Sequence, residues 1–77
     1  MEEGKVARIL DIYTRLLNGE SIFKGEAARH YQVSERSIQR DLEDIQIYLE
    51  EAARRKEATY SLVYDRGTKS YRIVKGL

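Results

Sequence analysis

Hydrophobic spacing changes once along this 77-residue chain, and the change restricts the folds open to it. Up to about residue 55 the apolar side chains recur every three or four positions, the repeat of a helix packed on one side. From Thr59 the chain reads Thr59-Tyr60-Ser61-Leu62-Val63-Tyr64 and then Ser70-Tyr71-Arg72-Ile73-Val74. β-Branched and aromatic residues dominate both runs, and such residues favour strands. The order predicts helices first and a strand pair last.

The first helical segment runs from about Glu3 to Asn18, with Val6, Ile9, Leu10, Tyr13, Leu16 and Leu17 as its apolar stripe. Asn18-Gly19 closes it, because both residues tolerate the left-handed conformation that ends a helix. Ser21-Ile22-Phe23 is too short for periodicity to assign: it is a stub of strand, or a turn whose Ile22 and Phe23 plug the core. Lys24-Gly25 opens the second helix, Glu26 to Tyr31, with Ala27, Ala28 and Tyr31 for packing. Gln32-Val33-Ser34 makes the following turn. Ser34 suits an N-cap, since its hydroxyl can accept from a backbone N–H two or three residues on. Glu35 suits the positive end of the helix dipole.

The third helix carries Ile38, Leu42, Ile45, Leu49 and Ala52 as one seam. It ends near residue 44 if Ile47-Tyr48 marks a break, and near Ala53 or Arg55 if the seam is continuous. Between the strands, Asp65-Arg66-Gly67-Thr68-Lys69 reads as a turn, with Gly67 as the residue free to adopt positive φ. Tyr60, Leu62, Tyr64, Tyr71 and Ile73 form the expected packing face of the hairpin. The expected fold is mainly α with a small β-hairpin: a winged helix-turn-helix of three helices and a C-terminal two-stranded wing, a single domain over 1–77.

Size and composition exclude several classes. A chain this short buries about 60% of its unfolded surface. No apolar run approaches the roughly 18 residues that span a bilayer, and acidic Met1-Glu2-Glu3-Gly4 lacks a signal-peptide hydrophobic stretch. Cysteine is absent, which excludes disulfides and thiolate metal sites; a cytoplasmic location is the expectation. His30 has neither a second histidine nor a cysteine to share a metal with, and no cofactor is expected. No nucleophile–base pair or phosphate loop is visible, so an enzyme is not expected. The 14 basic and 13 acidic side chains leave a net charge of +1, so any positive surface must be local.

One decapeptide carries most of the functional information. Val33-Ser34-Glu35-Arg36-Ser37-Ile38-Gln39-Arg40-Asp41-Leu42 closely resembles the VSERTIRRDL signature of DeoR-like bacterial transcription regulators. Tyr64-Asp65-Arg66-Gly67-Thr68-Lys69-Ser70-Tyr71-Arg72-Ile73 resembles their wing, and Arg8-Ile9-Leu10-Asp11-Ile12-Tyr13 resembles the opening of that fold. Together these fit best the N-terminal DNA-binding domain of the WYL-domain regulators, over nearly the whole chain. The resemblance implies sequence-specific duplex DNA binding for transcriptional control. It also implies a domain excised from a longer regulator that carries a ligand-sensing module, and a homodimer in that context. Two positions depart from the family. Gln32 stands where glycine is preferred in the turn, and Gln39 where the first arginine of a pair is frequent.

In such a fold the recognition helix, about 35–44, enters the major groove and its N-terminal residues meet base edges. Arg36 and Arg40 share a face, and either can make a bidentate pair with guanine; Gln39 can do the same with adenine. Ser34 and Ser37 suit phosphate contacts, which set register. Lys24 begins a helix whose free N–H groups make a phosphate seat. Arg66 and Lys69 at the wing, 65–69, are candidates for flanking DNA.

Each assignment has a plainer counterpart. Arg40 can pair with Asp44; Arg66 and Lys69 can simply keep a turn soluble; Asp41 most simply serves a structural partner on the first helix, Arg8 or Arg15. Arg54-Arg55-Lys56 complements a helix C-terminus. The tyrosines are packing residues before they are base-stacking ones. The competing function is a protein-interaction or dimerisation module, in which the seam from Ile38 to Ala52 continues beyond the core and pairs with a second copy. No small-molecule ligand is expected in so small a core.

Overall fold

A computed structural model describes residues 2–57 and 59–76, with side chains from residue 4 onward. Three helices, α1 (Glu2–Leu17), α2 (Lys24–Tyr31) and α3 (Glu35–Arg54), precede two strands, β1 (Tyr60–Asp65) and β2 (Ser70–Lys75). The strands pair antiparallel from Tyr60↔Lys75 to Asp65↔Ser70. This is the winged helix-turn-helix outline expected from the change of period.

All three helices stop in the same way. After α1, Gly19 takes φ 89°, and the Glu20 and Gly19 N–H groups donate to the carbonyls of Arg15 and Leu16. After α2, Gln32 takes φ 59° and ψ 47°, while Val33 and Gln32 donate to Ala28 and Arg29. After α3, Lys56 takes φ 59°, while Glu57 and Lys56 donate to Ala52 and Ala53. Each set is a Schellman closure, which satisfies the orphan carbonyls of the last turn. Only the first uses glycine. The turn between α2 and α3 therefore keeps the left-handed geometry that glycine favours and imposes it on Gln32.

The core lies where the helices meet. Ile12, Leu16, Ile22, Ala27, Ala28, Ile38, Leu42, Ile45 and Leu49 are buried together. Tyr31, Val33, Tyr60, Leu62, Tyr71 and Ile73 pack against them. The α3 seam is continuous through Ala52, which is also buried. Ile47 and Tyr48 mark no break; they lie off the seam and are exposed. The seam is filled by this chain's own core, so it is not left over for a second copy.

Four sequence expectations are corrected. On α1 the inward residues are Ile12 and Leu16, with Ile9 and Tyr13 at the margin. Val6, Leu10 and Leu17 are 56%, 58% and 46% exposed, because α1 meets the core along a narrower stripe than its composition permits. Phe23 is also exposed; it holds the N-cap position of α2 while its neighbour Ile22 plugs the core. Tyr64 lies on the inward face of the hairpin yet remains exposed, at the turn end where helices no longer cover the sheet. In that turn, positive φ falls on Lys69 and not on Gly67. Asp65 is the cause: its carboxylate accepts from the N–H groups of Gly67 (2.8 Å) and Thr68 (3.3 Å). The first half of the turn is thereby held in ordinary conformations, and the reversal is completed at Lys69, whose N–H donates to the Asp65 carbonyl.

Ile22 is a strand stub. Its N–H donates to the Tyr71 carbonyl (2.7 Å) and its carbonyl accepts from the Tyr71 N–H (2.8 Å). Tyr71 spends both backbone groups on this bridge, so its pairing with Tyr64 is the non-hydrogen-bonded kind, in which side chains approach closely. Their rings stand 4.8 Å apart. One residue thus ties the wing to the α1–α2 connection.

A buried ion pair joins α1 to α3. Asp41 is fully buried and accepts from Arg8 Nε (2.5 Å) and Nη2 (3.1 Å). That hydrogen bonding raises the Arg8 pKa above its ordinary value, with burial acting in the opposite direction.

Candidate nucleic-acid interface

The helix-turn-helix starts α3 with a capped end. Ser34 Oγ accepts from the Ser37 N–H (3.1 Å) and lies 3.2 Å from Ser37 Oγ. Both serines therefore have structural work at the tip of α3, whatever else they touch. The opposite side of the same helix is buried, which turns Arg36 and Arg40 outward. Both are exposed, and among the described residues neither forms an ion pair. The pairing of Arg40 with Asp44 does not form.

One neighbouring carboxylate is withdrawn from the two arginines, while Glu35, Glu43 and Asp44 stay exposed on the same helix. Asp41 points inward to Arg8. Glu51 is held by Arg54 and Arg55, which also places that basic cluster at the C-terminal end of α3. Arg15 engages Glu20. Glu43 and Ile47 continue the same stripe of α3 at helical spacing, and both are exposed. Neither was among the residues expected from sequence.

Lys24 and Gln39 were expected as separate contacts, one to phosphate and one to adenine. They are bonded to each other: Lys24 Nζ donates to Gln39 Oε1 at 3.0 Å. The Tyr71 hydroxyl donates to the same oxygen at 3.2 Å, and Gln39 Nε2 donates to Glu43 Oε2 at 3.2 Å. Gln39 is half-buried in this cluster, so its amide is not free for a bidentate pair with adenine. The Gln39–Glu43 contact was legible as an i, i+4 pair. The link to Tyr71, 32 positions away, had no local signal.

The α2 N-terminus has no side-chain cap, as a phosphate seat requires. The Glu35 carboxylate, however, lies 3.5 Å from where a Cβ would stand on Gly25, so this end already faces a negative group. Arg66 and Lys69 are exposed in the β1–β2 turn. Tyr71 is the strand residue next to the final Asp65↔Ser70 pair, and it touches Gln39. The turn therefore begins about one strand residue, roughly 3.4 Å, from the contact between the hairpin and α3.

No helix among the described residues is long and apolar enough to cross a membrane. No family model, curated protein or solved structure matches the chain.

Proposed function

We propose that this domain binds duplex DNA sequence-specifically, with α3 in the major groove and the 66–69 turn on flanking DNA, as part of a bacterial transcriptional regulator. The observation that carries the reading is the pair Arg36 and Arg40: exposed, without carboxylate partners, and fixed on one face because the opposite face of α3 is buried. Guanidinium groups held in this way suit guanine O6 and N7. Ser34 and Ser37 at the helix tip, and Arg66 and Lys69 in the wing, suit phosphates that set register. The resemblance to the DeoR-like and WYL-domain regulators adds the regulatory context, a location with the chromosome, and a homodimer on a two-fold site.

Selection of bound sequences from random duplex DNA, followed by titration of the selected site, tests this. Arg36→Ala and Arg40→Ala are each expected to cost on the order of 1–3 kcal/mol, and affinity is expected to fall steeply with salt. A double variant that binds the selected site as tightly as the parent would overturn the assignment of α3.

One observation favours a protein-interaction role beside or instead of this. Val6, Leu10 and Tyr48 are exposed, and Leu10 and Tyr48 line one apolar groove between α1 and α3 with Ile9, Tyr13 and Ile45. Sedimentation separates the two: a domain that self-associates tightly yet ignores random duplex at low salt belongs to the second class.

A further inference from the structure

The amide of Gln39 has a defined direction, and its neighbours dictate it chemically. An ammonium group only donates, so the Gln39 atom facing Lys24 Nζ at 3.0 Å must be oxygen. A carboxylate only accepts, so the atom facing Glu43 Oε2 at 3.2 Å must be nitrogen. The two assignments agree. The Tyr71 hydroxyl supplies a second donor to the oxygen, and an amide oxygen has two lone pairs. The acceptor end of Gln39 is therefore filled from inside the protein. One N–H of its amino group is spent on Glu43 and the other remains.

Glutamine recognises adenine by using both ends at once: it accepts from N6 and donates to N7. With its oxygen saturated, Gln39 meets the adenine amino group with nothing to accept it. Guanine presents two acceptors in the major groove, O6 and N7, and thymine presents O4. We propose that Lys24 and Tyr71 make Gln39 a donor-only reader, which loses the two-point contact with adenine, left with N7 as its one acceptor beside an unmet N6 amino group, and so prefers guanine, with O6 and N7, or thymine, with O4. Tyr71 is then a positioning residue. It lies on β2, so the wing sets the chemical preference of a side chain on α3 as well as touching flanking DNA. Tyr71 is itself held by the bridge to Ile22 and by the ring of Tyr64, which keeps its hydroxyl at Gln39.

This inference rests on the proposed duplex binding, and its test keeps the two apart. Random-duplex selection is run on the parent, Gln39→Ala, Lys24→Met, Tyr71→Phe, and the Lys24→Met/Tyr71→Phe pair. Circular dichroism melts check that each folds; Tyr71→Phe retains the ring, and Lys24→Met alone tests half of the proposal without touching the wing. The base position whose preference vanishes in Gln39→Ala identifies what Gln39 reads. The parent is expected to enrich guanine or thymine there. The double variant, with the oxygen freed, is expected to shift enrichment toward adenine by about fivefold, the low end of one bidentate base contact; each single variant is expected to shift it in the same direction by less. The readout is base identity, which loss of a phosphate contact at Lys24 does not alter. The proposal is overturned if the parent already selects adenine at that position, if no position responds to Gln39→Ala, or if the double variant keeps the parent's preference. A parent that enriches no duplex removes the function itself, and this inference with it.

Discussion

Asp41 and Gln32 are two residues whose roles depend on what packs around them. Asp41 lies inside the segment that most resembles a DNA-reading helix, yet it is fully buried and pairs with Arg8. A carboxylate one position from Arg40 and five from Arg36 would otherwise dilute their field. Asp41→Ala leaves the largely buried Arg8 without its partner, and the expected cost is about 3 kcal/mol in urea unfolding. A variant as stable as the parent would show that the pair does not hold α1 to α3. Gln32 carries left-handed strain of about 1 kcal/mol that glycine avoids. Gln32→Gly is therefore expected to stabilise the domain, less the entropy that glycine loses on folding. A lowered melting temperature would mean that the Gln32 side chain contributes more than its backbone costs.

At the scale of elements, α3 is both the spine of the core and the presenting surface. Its 20 residues exceed the portion proposed to read DNA, about 35–44, and the second half is buried through Leu49 and Ala52 against the other elements. Leu49→Ala is expected to cost about 2–5 kcal/mol, measured by chemical denaturation, even though the site lies well beyond the reading residues. A cost near zero would indicate that α3 frays after residue 44. The seam itself was legible, since Ile38, Leu42, Ile45, Leu49 and Ala52 alternate steps of four and three. The α1 stripe was less so. Val6, Leu10 and Leu17 fit a helical repeat as well as Ile12 does, and only the angle at which α1 meets α3 decides which of them enter the core. Phe23 shows the same limit: in the six-residue connection 18–23, whichever side chain points inward is set by the bridge to Tyr71.

For the whole molecule, tyrosine burial makes the fold sensitive to alkali. Burial, and then the proximity of Tyr48 and Tyr60, pushes the Tyr13 hydroxyl above its ordinary value of 10.0. Burial, and then the hydrogen bond to Asp11, does the same for Tyr31 despite the opposing effect of Arg15. As pH rises past 10.0 the unfolded chain loses these protons first. The stabilisation is complete below that pH and is lost as pH climbs through the raised folded values. Tyr13→Phe is expected to flatten the fall of melting temperature above pH 10.0; an unchanged slope would show that Tyr13 does not contribute to it.

Order of elements, the capped start of α3, the residues of its apolar seam and the outward arginine pair all followed from the chain itself. Each depends on residues within a turn or two of one another, where backbone geometry alone brings side chains together. The direction of the Gln39 amide, the choice of Arg8 over Arg15 as the partner of Asp41, and the choice between Ile12 and Val6 depended on segments far apart in sequence. Those came from packing: the way α1, α3 and the hairpin share a single core decides which polar groups meet and which are left facing outward.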